Sequence, residues 1–304
     1  MKKQLSKSVF RPSGTPRACI EIVHGMSEHR KRYDGFAKYL QSRGYAVITY
    51  DLPGHGEDTD KADLGYFGEE GGWQNLIDSA VEINRECHNE FPGVPVIAFG
   101  HSMGTIILRC FIQKHEDLVD GVVLSGVPCY QSAVKAGAVL GKVIRTLKGA
   151  KGHSRMMDSM VTGGFNKSVS NPRTPNDWLS YNTENVDRYT ADALCGFPFT
   201  VQGYMDLFTG TALMHEVKEY RCTKPELPIY MFAGQDDPCR GKDEGFQDSM
   251  NTLKSAGYKN IQSKIYPHMR HEVLNEIGHE QVFADTADWI DNTVQKISAK
   301  AHNE

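Results

Sequence analysis

Short β-branched runs alternating with longer helical patterns constrain this chain more than any other feature. The runs are "ACIEIVHG", "YAVITYD", "VPVIAFG", "DGVVLSG", "LPIYMFAG" and "IQSKIYP". The helical patterns are "RKRYDGFAKYLQSRG", "WQNLIDSAVEINREC", "MGTIILRCFIQKH", "DEGFQDSMNTLKSAG" and "QVFADTADWIDNTVQKIS". A strand that is apolar at nearly every position has to be covered on both faces. Alternation with helices therefore predicts an α/β fold with a mostly parallel central sheet flanked by helices. In such sheets ligands sit beyond the carboxyl ends of the strands.

The alternation breaks between about Cys129 and Glu226 and resumes at "LPIYMFAG". A stretch of that length is not a plain loop. It reads as a helical cap, residues 128–226, inserted into a core formed by 1–127 and 227–304.

"VPVIAFGHSMGTIILRC" runs from an apolar strand directly into a helix through Gly-His-Ser-Met-Gly. A turn that only reverses direction favours Asn, Asp or Pro beside its glycine. Two glycines flanking one serine at equal spacing match a nucleophile elbow. In that turn Ser102 sits strained at the apex, and Gly100 and Gly104 remove the Cβ atoms that would strike the neighbouring strand and helix.

A serine hydroxyl needs a base, and the base needs an orienting acid. After an elbow these follow in chain order, acid then histidine, each just beyond a strand. "GQDDPC" supplies Asp236 or Asp237, and "HMRHEVLNE" supplies His268 or His271. An oxyanion hole would take one N–H from Met103 and a second from the loop after an early strand. In "IEIVHGMSEH" that donor is Met26, after His24 and Gly25.

Bulk properties remove other classes. Hydrophobic residues make up 39% and charged residues 24%, which is globular usage. A net charge of −4 without a long basic run argues against nucleic acid as a partner. The seven cysteines form no CxxC pair, so neither a disulfide framework nor a zinc pattern is expected, and no metal or organic cofactor is implied. The N-terminus has no signal-peptide core, and no apolar run reaches membrane-span length. The expectation is a cytoplasmic protein whose oligomeric state the sequence leaves open.

"HGMSEHRKRY", "DLPGHGEDT", "GHSMG", "GQDDPC" and "YPHMRHEVLNE", in this order, resemble the α/β-hydrolase superfamily. Within it they are similar to the monoacylglycerol lipase and lysophospholipase group, often filed beside serine aminopeptidases. The likeness covers roughly 8–127 and 227–298. It implies the α/β-hydrolase fold, Ser102 as nucleophile, Asp237 as acid, His271 as base, and Met26 and Met103 as oxyanion donors. It also implies that His55, in Gly-His-Gly, supports the oxyanion loop.

Three features depart from the family pattern. Thr105 follows Gly104 where a glycine is usual, Asp58 replaces a serine, and only "SKSVFRP" precedes the first core strand. The implied activity is carboxylester hydrolysis of monoacylglycerol-like or other small acyl esters. The alternatives are a lysophospholipase, a serine aminopeptidase, or a ligand-binding module without turnover. A peptidase would need acids for a substrate amine, and Glu184, Asp187 and Asp192 are candidates.

In the cap, "AVKAGAVLGKVIRTLKGAKG" is amphipathic, with Val139, Val143, Ile144 and Leu147 on one face. Such a face ordinarily packs on the core; the other reading is peripheral contact with a lipid surface. Trp178, Tyr181, Phe197, Phe199, Tyr204 and Phe208 are candidates to line an acyl pocket, although aromatics at such spacing are often core.

Overall fold

The computed structural model describes residues 4–301. Seven strands form one sheet in the order β1-β3-β2-β4-β5-β6-β7. They are β1 (Lys7–Phe10), β2 (Cys19–Val23), β3 (Ala46–Tyr50), β4 (Val96–His101), β5 (Gly121–Ser125), β6 (Ile229–Gly234) and β7 (Ile261–Tyr266). Only β1 is antiparallel, paired with β3 at the edge. Every expected strand is present, and β2 to β6 are buried at each position. Strand β7 exposes Gln262, Ser263 and Lys264, because the sheet ends there.

The helices are α1 (Asp34–Ser42), α2 (Gly72–Glu90), α3 (Met103–His115), α4 (Ala133–Lys148), α5 (Arg155–Val161), α6 (Thr183–Ala191), α7 (Val201–Leu213), α8 (Lys242–Ser255) and α9 (His279–Ala301). Two apolar layers sandwich the sheet. One contains α1 and α9 residues such as Phe36, Leu40, Phe283 and Ile290. The other contains α2 and α3 residues such as Leu76, Ile83, Ile107 and Phe111.

Strand β4 is central, and β2 and β5 lie on either side of it. Gly100 pairs with Val23 and Leu124, and His101 with Ser125. The chain from β2 goes outward to β3 and returns inward to β4, so the crevice above β2 and β4 is a switch point of the sheet.

Helices α4 to α7 lie between β5 and β6. Helix α4 meets α7 through glycines: a Cβ on Gly137 would come 2.9 Å from Phe208, and one on Gly141 would come 2.6 Å from Met205. The apolar face expected to pack inward therefore divides. Ile144 is buried, whereas Val139, Val143 and Leu147 are 65%, 58% and 80% exposed. Glycine lets the helix backbone approach closely, and the rotation that achieves this turns the valines outward. Helix α7 reaches the core the same way, with Gly210 against the Trp73 ring of α2.

Candidate functional site

Ser102 has φ 52° and ψ −118°, a conformation that side-chain-bearing residues rarely adopt. Its N–H donates to the Ser125 carbonyl at 2.9 Å, fixing the turn to β5. A Cβ on Gly104 would lie 2.2 Å from the Val23 carbonyl oxygen, and one on Gly100 would lie 2.6 Å from the Gly104 oxygen. Both partners are backbone, so neither can yield. Thr105, the departure from the family pattern, donates its hydroxyl to the Ser102 carbonyl at 2.7 Å and ties the first helical turn to the apex.

Asp237 follows β6 and His271 follows β7. Their loops bring three side chains together from positions far apart in the chain. His271 Nε2 lies 2.8 Å from Ser102 Oγ. His271 Nδ1 lies 3.0 Å from Asp237 Oδ2, and the other carboxylate oxygen accepts the Cys239 N–H at 2.8 Å. Asp236 is exposed instead and accepts a hydrogen bond from the Tyr181 hydroxyl; His268 is exposed at a positive φ of 54°. Geometry thus separates the two pairs that spacing left open.

Burial works against protonation of His271. The carboxylate of Asp237 outweighs it, joined by Glu272 and Glu28, so its pKa lies above the ordinary 6.5. His101, packed on the same ring with centroids 4.8 Å apart, is pushed down to about 3 by burial and stays neutral.

The loop after β2 approaches the elbow closely: a Cβ on Gly25 would sit 3.1 Å from Ser102 Cβ. His24 accepts the Leu52 N–H at 3.0 Å through Nε2, and its Nδ1 lies 2.8 Å from the Gly25 carbonyl. His55 Nε2 accepts the Ser27 N–H at 3.3 Å, and its ring stands edge-on to His24. Burial pushes both imidazoles down to about 3, leaving them neutral acceptors. Met26 and Met103 face the same cavity as Ser102. Asp58 takes a hydrogen bond from Ser6, which ties the loop containing it to the edge of the sheet.

Sequence reasoning missed one group. Arg32, its side chain 10% exposed, donates to Glu28 at 3.0 Å and bridges both oxygens of Glu272 at 2.5 and 2.7 Å. Glu28 also accepts the Gly25 N–H at 2.6 Å. The residue next to the histidine is thereby linked to the loop beside the serine. All three lie within quoted motifs, and Glu28 and Arg32 stand four residues apart, but no spacing signal pairs either with Glu272 on a separate loop.

A cavity of about 480 Å³ opens at Ser102. Ile106, Val134, Met160, Val161, Leu207 and Phe208 give it an apolar wall. Of the proposed aromatics, Trp178, Phe197 and Phe208 line it. Phe199 and Tyr204 are instead buried in the core, and Tyr181 stacks on Arg270. None of Glu184, Asp187 or Asp192 reaches it: Glu184 faces Arg188, Asp187 pairs with Arg173 and Asp192 with His29. A wider groove of about 620 Å³ runs between β7 and α9 and shares no residue with this site.

The family described as serine aminopeptidase, S33, matches residues 14–278. The chain belongs to this family of α/β-hydrolases. Monoglyceride lipase of Mus musculus is 26% identical over 281 residues, covering 88% of this chain and 84% of that protein. Monoacylglycerol lipase of Mycolicibacterium smegmatis is 25% identical over 286 residues, covering 93% and 91%. A thermostable carboxyl esterase of Bacillus coagulans, solved with glycerol, shares the fold with a TM-score of 0.89, 24% identity and coverage of 96% and 95%. The chain thus falls in the monoacylglycerol-lipase-like group of the α/β-hydrolases. Among the described residues, no helix is long and apolar enough to cross a membrane.

Proposed function

We propose that this serine hydrolase cleaves monoacylglycerol-like or other small carboxylic esters through an acyl-enzyme on Ser102. The observation that carries the reading is the chain of contacts Asp237–His271–Ser102, at 3.0 and 2.8 Å, beside an apolar cavity. His271 takes the serine proton as Oγ attacks the ester carbonyl, then returns it to the leaving alcohol. Asp237 holds the proton on Nδ1, so that Nε2 is the acceptor, and stabilises the imidazolium. The N–H groups of Met26 and Met103 receive the negative charge on the carbonyl oxygen, the latter at the start of α3, where the helix dipole adds to it. Water then attacks the acyl-enzyme through the same base. Gly100 and Gly104 hold the elbow, and His24, Gly25 and His55 hold the oxyanion loop.

An ester is favoured over an N-terminal peptide because, among the described residues lining the cavity, no acid is free for an amine. Glu28 and Glu272 line the cavity but are bound by Arg32, and Asp158 accepts the Tyr204 hydroxyl. Residues 128–226 act as the cap and supply most of the apolar wall, with Ile106 from the core. Its outer face carries exposed Val139, Val143 and Leu147, and residues 131–157 hold six Lys or Arg and no acid. That combination suits peripheral contact with an anionic lipid surface, from which an acyl glycerol would enter. The seven cysteines are free, which fits a reducing cytoplasm.

Ser102→Ala tests the assignment. Hydrolysis of p-nitrophenyl butyrate and labelling by a fluorophosphonate should both vanish in a folded protein; retained turnover would remove Ser102 from the mechanism.

A further inference from the structure

Trp178 lies in a 3-10 turn, Asp177–Leu179, of the segment between β5 and β6; its backbone N–H donates to Asn166 at 2.9 Å, and its neighbours are bound to the loop carrying His271. Arg270 donates to the carbonyls of Asp177 and Ser180 at 2.7 and 3.2 Å. The Glu272 N–H donates to the Leu179 carbonyl at 2.8 Å. Glu276, 1% exposed, accepts from the N–H groups of Tyr181, Asn182 and Arg270 and from the Ser180 hydroxyl. These bonds fix the indole against the imidazole, with ring centroids 5.1 Å apart and a tilt of 38°. Phe165 backs the indole at 4.6 Å.

Two rings thus pack on the His271 imidazole, Trp178 at 5.1 Å and neutral His101 at 4.8 Å. We propose that Trp178 is a positioning residue for the base: it holds the imidazole in line with Asp237 and Ser102 and offers the imidazolium a π face. This rests on the triad reading given above. An indole within about 6 Å of a cation attracts it through the negative face of its ring. That attraction exists only after His271 has taken the serine proton, so it favours the transition state over the resting enzyme. Neutral His101 adds no opposing charge. The other ionisable groups around the ring are Asp237, Cys239, Glu28, Glu272 and, through the two glutamates, Arg32.

The test compares Trp178→Leu, which fills space without a π face, with Trp178→Phe, which keeps a weaker one. With p-nitrophenyl acetate, too short to need the acyl wall, Trp178→Leu should lower kcat roughly three- to thirtyfold with KM little changed. Its acid limb should move down by about half a pH unit or more. Trp178→Phe should recover most of both effects. A purely structural role would leave the limb in place, and that result overturns the proposal.

The pairing has a second readout that does not depend on turnover. Protonated imidazole quenches indole emission, so the difference in fluorescence between wild type and Trp178→Phe should fall as pH drops through the His271 titration. His271→Gln should abolish that fall. A difference signal insensitive to pH, or one surviving in His271→Gln, would sink the idea. If Ser102→Ala stayed active, the triad reading would fail while the fluorescence still reported whether the two rings are coupled.

Discussion

Replacing Asp237 by asparagine asks whether the tautomer of His271 is set by this one side chain. The carboxylate uses both oxygens: Oδ2 lies 3.0 Å from His271 Nδ1, and Oδ1 accepts the Cys239 N–H at 2.8 Å. An amide of the same shape must give one of these places to its NH2 group. The Cys239 N–H can only donate, so the amide oxygen stays there and the NH2 turns to Nδ1. Nδ1 then has to accept, and the ring proton moves to Nε2, the atom facing Ser102 Oγ at 2.8 Å. A nitrogen that already carries a proton cannot take another from serine.

Flipping the amide would restore the tautomer but set two donors against each other where the Asp237 side chain is fully buried. Leaving a buried donor unpaired costs about 1–3 kcal/mol. The wrong tautomer should therefore dominate, which by itself lowers the competent fraction roughly 5- to 160-fold. The neutral amide also no longer stabilises the imidazolium, and with both effects kcat for p-nitrophenyl butyrate should fall about 10⁴-fold, or roughly 5.4 kcal/mol of barrier. Asp236→Asn removes only an exposed charge, and its amide oxygen can still accept the Tyr181 hydroxyl, so activity should stay within about twofold of wild type. Circular dichroism would confirm that both variants fold. An Asp237→Asn enzyme keeping more than a tenth of its activity, or an Asp236→Asn enzyme losing as much, would refute the reasoning.

The raised pKa of His271, caused by Asp237, Glu272 and Glu28 against the effect of burial, sets the acid limb. The base works only when neutral, so kcat/KM is lost as pH falls through that pKa, and the midpoint should lie above 6.5; a midpoint below 6 would contradict this. Burial raises Glu21 from 4.5 to about 8 despite hydrogen bonds from Asn84 and Tyr50. The folded state then holds a proton that the unfolded chain releases, so this stability is full below pH 4.5 and declines as pH rises toward 8. Glu21→Gln removes the titration and should gain roughly 3–6 °C more in Tm at pH 9 than at pH 5; equal gains would count against it. Leu147→Asp, on the exposed face of α4, should weaken co-sedimentation with anionic vesicles while hydrolysis of soluble p-nitrophenyl acetate is unchanged. Undiminished co-sedimentation would remove that face from lipid contact.

The sheet and the elbow were legible because they are local. Continuous apolar runs give β2 to β6, and α3 begins and ends where its pattern does, at Met103 and His115. The two glycines around Ser102 mark a clash that only their absence of Cβ relieves, so Gly-x-Ser-x-Gly carries its geometry in its spelling. The choice between Asp236 and Asp237, or His268 and His271, was not local. Adjacent residues in a loop point in different directions, and only the folded positions of β6 and β7 decide which side chain meets the serine.

The proposed cap shows the same limit. Its amphipathic helix was plain in the sequence, but periodicity states only that a face exists, not what covers it. Close approach at Gly137 and Gly141 selected the glycine stripe for burial and left Val139, Val143 and Leu147 outside. The clamp through Arg32 and the stacking of Trp178 on His271 join residues more than ninety positions apart or on separate loops. The sequence by itself determined the periodicities, the strained turn and the supply of an acid and a base, because neighbouring residues enforce these. Tertiary structure alone decided which groups meet, because loop closure and packing, not chain order, set distances across the sheet.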